Sequence, residues 1–144
     1  MKKDQIMPAR TVYLIKRIET EVTIRMNKSL SEFDITLSQF IVLNFVNDNQ
    51  IDFSSAQLSR RFKMTPQSMN ETVSSLKRKE LIEKNVDIEN KRILRISLTE
   101  KGLEILNACN LAINDVETEL FRKFTPTQME SFRSLIGIIL SSTK

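Results

Sequence analysis

Histidine and tryptophan are missing from this 144-residue chain, and Cys109 is its only cysteine. Without histidine, no Ser-His-Asp triad can be assembled and the commonest general base is lost. The clustered Cys and His ligands of a zinc site are lacking too, so neither a metal nor a cofactor is expected. One cysteine closes no internal disulfide, and nothing points to an oxidising compartment. A redox-sensing thiol needs an accessible thiolate beside a cation. Cys109 has no cationic neighbour in sequence and reads as a packing or surface residue. Two glycines leave no Gly-rich phosphate loop, so an enzyme is not expected. Few glycines and three prolines favour long helices over irregular loops. The start, Met1-Lys2-Lys3-Asp4-Gln5, has no apolar signal core. The longest aliphatic stretch, residues 135–140, is too short for a bilayer. The expected setting is the cytoplasm, with no membrane partner.

Charge is present but unevenly placed. Between Arg60 and Arg95 ten basic residues face five acids, a local +5 within a total of +4. A basic middle between nearly neutral ends suits a polyanion, although charge runs are also common on plain solvated faces.

Hydropathy patterning divides the chain into six helices and a hairpin. Val12, Ile15, Ile18, Val22 and Met26 form one apolar stripe over residues 11–30. Thr36 with Gln39 has capping-box spacing before an almost wholly apolar second helix. Ser54 with Gln57 repeats that spacing before a short third helix. Thr65-Pro66 starts a fourth, with Met69, Val73 and Leu76 facing inward. The period then falls to two over Ile82–Val86 and Leu94–Leu98, around a charged tip: a β-hairpin. Thr99 caps a fifth helix with Leu103, Leu106, Leu111, Ile113, Val116 and Leu120 as its apolar residues. Thr125-Pro126 opens a sixth. The outer stripes exceed what one small lobe can bury, so a homodimer is expected.

Short helix, tight turn, helix, hairpin is the order of a winged helix-turn-helix. The fold class expected is therefore mainly α with a small β-hairpin wing, carrying long N- and C-terminal dimerisation helices. One domain covers 1–144, with a DNA-binding lobe at 36–98 and dimerisation helices at 5–33 and 99–144. The fourth helix can lay short polar groups along a major groove. Gln67, Ser68, Asn70, Glu71, Ser74 and Lys77 stand on or beside its outward face, and the helix start at Thr65 favours a phosphate. Lys91 and Arg92 at the hairpin tip can reach the neighbouring minor groove or its phosphates. The expected partner is double-stranded DNA with a pseudo-palindromic operator. A winged helix that docks proteins instead is the alternative reading.

Four segments resemble the multiple-antibiotic-resistance regulator (MarR) family over about residues 10–142. They are Leu37-Ser38-Gln39-Phe40-Ile41-Val42-Leu43, the run Leu58–Met69, Leu76-Lys77-Arg78-Lys79-Glu80-Leu81-Ile82, and Asp87–Arg92 followed by Ser97–Gly102. The resemblance implies a dimeric, ligand-responsive repressor. It also implies an effector site between the first, second and fifth helices, for a small apolar or aromatic molecule. Met26, Phe33, Phe40 and Phe45 would line that site and Tyr13 would supply a polar handle, although core packing explains each of them equally well. Three positions depart from the family pattern. Glu80 stands where glycine is usual, which argues against a relaxed left-handed cap. Glu71 stands where many members have arginine, and it either accepts from a cytosine amino group or pairs locally with Ser75 or a neighbouring base and repels phosphate. Asn90 stands where an aspartate is usual, which affects the pose of Arg92.

Overall fold

The computed structural model describes residues 10–49, 55–86, 88–89 and 94–143. Its order is α1 (Thr11–Ser31), α2 (Leu37–Asn49), α3 (Ser55–Arg61), α4 (Pro66–Arg78), β1 (Ile82–Val86), β2 (Leu94–Leu98), α5 (Glu100–Leu120) and α6 (Pro126–Ser141). The strands pair antiparallel with Ile82 opposite Leu98 and Val86 opposite Leu94. The wing is anchored at its base, where Ile82 and Ile96 are buried, and runs out into solvent by Val86.

Local chemistry explains the helix starts. Thr36 and Gln39 form a reciprocal capping box, each side chain accepting from the other's backbone N–H at 3.1 Å. Thr65, Thr99 and Thr125 each accept from the N–H three residues on. The cap expected at Ser54 lies outside the described residues.

The core lies where α2, α4, α5 and the wing base converge, around Leu43, Leu58, Met69, Val73, Leu76, Ile96 and Leu106. Phe40, Val42, Leu43 and Val46 are buried and Phe45 half-buried while Ile41 is exposed, so α2 is buried on most sides, as its nearly all-round apolar pattern predicts. The fifth helix differs from expectation. Gly102, Leu106 and Cys109 form its buried stripe, whereas Leu103 and Leu111 lie off that stripe and are exposed.

Among the described residues three helices end in a left-handed residue, and none of the three is glycine: Asp34 (φ 55°), Lys63 (φ 52°) and Glu80 (φ 61°). Glu80 therefore does form the left-handed cap, in the strained form expected where glycine is absent. Glu80 N–H donates to the Lys77 carbonyl (2.9 Å) and Leu81 N–H to that of Leu76 (3.0 Å), the paired bonds of a Schellman ending. The Thr99 hydroxyl then binds the Glu80 carbonyl at 2.7 Å. Together these bonds hold a conformation that the side chain itself opposes.

Gly102 has a different role. A Cβ there would meet the Leu81 carbonyl oxygen at 2.0 Å, so only glycine lets α5 start this close to the wing. Glu80→Gly should raise stability by about 0.5–1 kcal/mol, the relief of left-handed strain less the added entropy of the unfolded chain. Gly102→Ala should lower it by roughly 1–3 kcal/mol through backbone displacement. Thermal or denaturant unfolding checks both, and opposite signs are expected.

Candidate nucleic-acid interface

The turn between α3 and α4 sets how α4 is presented. The buried Ser59 hydroxyl donates to the Met64 carbonyl (2.7 Å), and Met64 N–H donates back to the Ser59 carbonyl (3.0 Å). Left-handed Lys63 lies between them and reverses the chain. The Thr65 hydroxyl then accepts from Ser68 N–H (3.1 Å) and donates to the Ser68 hydroxyl (2.9 Å). Both hydroxyls are thus partly committed to the cap.

Beyond the cap, α4 has two distinct faces. Met69, Val73 and Leu76 are wholly buried. Gln67, Asn70, Glu71 and Lys77 are exposed and Ser74 half-buried, and these five share the opposite face at spacings of three and four. Ser68 is exposed beside them. Glu71 has no partner among the described residues, and the hydroxyl of Ser75 is engaged elsewhere, accepting from Gln39 Nε2 at 3.0 Å. Local pairing of Glu71 with Ser75 is thereby corrected: the carboxylate stands free on the outward face. Arg60, Arg61, Lys63, Lys77 and Arg78 are exposed around the motif, giving it a positive rim. Lys91, Arg92 and Asn90 lie outside the described residues. At the same tip Ile88 is exposed.

Lys79 belongs to the sequence's basic run but not to this rim. Its ammonium donates to the Asp34 carbonyl and to Gln39 Oε1 (3.1 Å) and pairs with Asp34 Oδ2 at 3.6 Å. Neither a phosphate contact nor simple solvation, the two readings of the run, describes it. No local pattern could have revealed this, since Lys79 and Asp34 are 45 residues apart. The capping box marked Gln39, but its bond to Ser75, 36 residues away, leaves no trace in sequence.

Of the five residues proposed around an effector, Tyr13 is set apart from the other four. Met26 and Phe33 pack half-buried against the core and Phe40 is within it. Phe45 packs edge-on against Phe62 with centroids 5.0 Å apart, and the Arg61 guanidinium lies 5.7 Å from the Phe45 ring centre. Tyr13 is exposed on the N-terminal half of α1, in an open groove with Leu14, Arg17 and Ile18. At 1.5 Å per residue it stands about 20 Å along the helix from Met26. Within the chain, Tyr13 cannot share a pocket with the other four.

Among the described residues there is no group of three or more His, Cys, Asp or Glu that could hold a metal, and no helix long and apolar enough to cross a membrane. A polar helix face beside a positive rim, set on a helix-turn-helix and followed by a β-hairpin, defines a winged helix-turn-helix protein. The model of the MarR family matches residues 33–93, from just before α2 to just before β2. An HTH-type transcriptional repressor of Mycobacterium tuberculosis is 23% identical over 124 residues, which cover 86% of this chain and 88% of that protein. The fold is shared with wild-type apo MarR of E. coli, with a TM-score of 0.79 and 23% identity over 94% of this chain and 99% of that one. It is likewise shared with Staphylococcus aureus MepR in a DNA complex, with a TM-score of 0.78 and 23% identity over 93% and 96% of the two chains.

Cys109 is fully buried, and burial pushes its thiol pKa up. A raised pKa keeps the native thiol neutral, so stability contributed by Cys109 holds below the usual thiol pKa and falls as pH rises past it. A thiol reagent at pH 8 should therefore label the native protein far more slowly than the unfolded chain, as a time course in native buffer and in denaturant will measure.

Proposed function

We propose that this protein is a sequence-specific double-stranded DNA-binding transcriptional regulator acting as a homodimer in the cytoplasm. The observation that carries the reading is the division of α4, with its apolar face wholly buried and Gln67, Asn70, Glu71 and Lys77 left exposed within a positive rim. In this reading α4 lies in the major groove. Asn70 and Gln67 read base edges, the helix start at Thr65 and Ser68 lies near a phosphate, and Ser74 and Lys77 follow the groove wall. Lys91 and Arg92 at the wing tip take the flanking minor groove or its phosphates. The names of similar proteins support a repressor, and the MepR–DNA complex supports the partner.

Apolar exposure supports the dimer. No residue of α6 is buried, and Val12 (72% exposed), Leu135 (60%) and Ile138 (63%) face outward. Apolar surface on this scale along two long helices is what a second subunit would cover. The domain division, with dimerisation helices at 5–33 and 99–144 around a DNA-binding lobe at 36–98, belongs to the same proposal. So does an apolar or aromatic effector held near Met26, Phe33, Phe40 and Phe45.

Selection of bound duplex from a random pool tests the reading. The expected product is a pseudo-palindrome with half-sites about one helical turn apart. A folded dimer that enriches no sequence would overturn it in favour of a protein-docking winged helix. Glu71→Gln should then tighten binding to non-specific DNA, because a negative charge leaves the interface. Titration of a scrambled duplex measures this, and unchanged affinity would place Glu71 away from DNA.

A further inference from the structure

The C-terminal end of α4 is fastened to a distant corner of the molecule. Lys79, its C-cap residue, sends its ammonium to the backbone carbonyl and carboxylate of Asp34 and to the side-chain carbonyl of Gln39. Asp34 is the left-handed residue that ends α1, and Gln39 lies in the first turn of α2. Gln39 is only 5% exposed and both ends of its amide are engaged: Oε1 also accepts from Thr36 N–H, while Nε2 donates to Ser75 one turn before Lys79. Two residues of α4 are therefore tied to the turn that joins α1 to α2. The network is buried at Gln39, half-buried at Lys79 and open to solvent at the Asp34 carboxylate, and it favours one arrangement because any other leaves the buried Gln39 amide unsatisfied.

We propose that Lys79 is a positioning residue. It locks the orientation of α4 relative to α1, and so fixes the distance between the two recognition helices of the dimer. The inference rests on the proposed function, in which α4 reads DNA and α1 joins the protomers. A dimer whose α4 is locked to α1 should discriminate sharply between half-site spacings; a loosened one should not. A lysine on phosphate would behave differently. Its loss would lower the salt dependence of binding by about one counterion and leave the spacing preference intact.

The test uses full-length Lys79→Met and, should that variant not fold, Asp34→Asn, which keeps both the carbonyl acceptor and a residue tolerant of the left-handed region. Each is titrated against the selected operator and against versions with one base pair inserted or removed between half-sites, at several salt concentrations. The expected result is a spacing preference reduced by roughly threefold or more, with an unchanged salt slope, and a smaller effect in the same direction for Asp34→Asn. An unchanged spacing preference, with or without a lower salt slope, overturns the positioning role while leaving DNA binding in place. If wild-type protein selects no operator, the proposed function itself fails and the inference falls with it.

Discussion

The buried amide of Gln39 is the interaction on which the rest of this structure turns. It closes the cap of α2, accepts from Lys79 and donates to Ser75, so one side chain joins the helix that forms the middle of the core to the helix that carries the polar face. An apolar residue there would leave the Lys79 ammonium and the Thr36 N–H without this acceptor in a half-buried site, where unsatisfied polar groups are costly. Around this network the helices are placed by packing, with Met69, Val73 and Leu76 directed at the same core as Leu43. A second polar bridge, from Asn110 Nδ2 to Asn44 Oδ1 at 3.1 Å, ties α5 to α2. Helix α2 is thus held by hydrogen bonds on two sides as well as by apolar contact.

The scarcity of glycine makes the helix ends informative. Where a left-handed residue is needed, this chain uses Asp34, Lys63 and Glu80, and it keeps Gly102 for a place where the limit is space and not backbone angle. All three strained residues border the α4 unit or its anchor: one in the helix-turn-helix, one at the junction to the wing, one under Lys79. Strain of this kind persists where the surrounding bonds over-determine the backbone. The segment that presents α4 is accordingly held by polar geometry as much as by apolar burial.

Exposed apolar surface tells a complementary story at the other end of the molecule. Phe121, Phe124 and Phe132 pack together where α5 gives way to α6, with ring centroids 5.2 to 5.7 Å apart. Beyond them α6 lies open along its length. The chain has a well-packed lobe around α4 and long helices that find too little within the chain to pack against.

Much of this was legible in the sequence because it is set by neighbours along the chain. The Thr-Pro starts at Thr65 and Thr125, the Thr36–Gln39 box, the period change at Ile82 and the inward stripe of α4 all depend on residues within one or two turns. The outward face of α4, and with it Gln67, Asn70 and Glu71, follows from the same periodicity. What lay beyond reach is set by residues far apart. Burial of Cys109 in place of Leu103 and Leu111 depends on which side of α5 meets α2 and the wing. The left-handed turn at Glu80 depends on Thr99, and the capture of Lys79 on Asp34 and Gln39. The separation of Tyr13 from Phe45 depends on how far α1 runs past the core. Sequence by itself determined where the helices begin and which of their faces are polar, because those are local free energies; tertiary structure alone decided which polar groups meet across the core, because that meeting follows from how the helices pack.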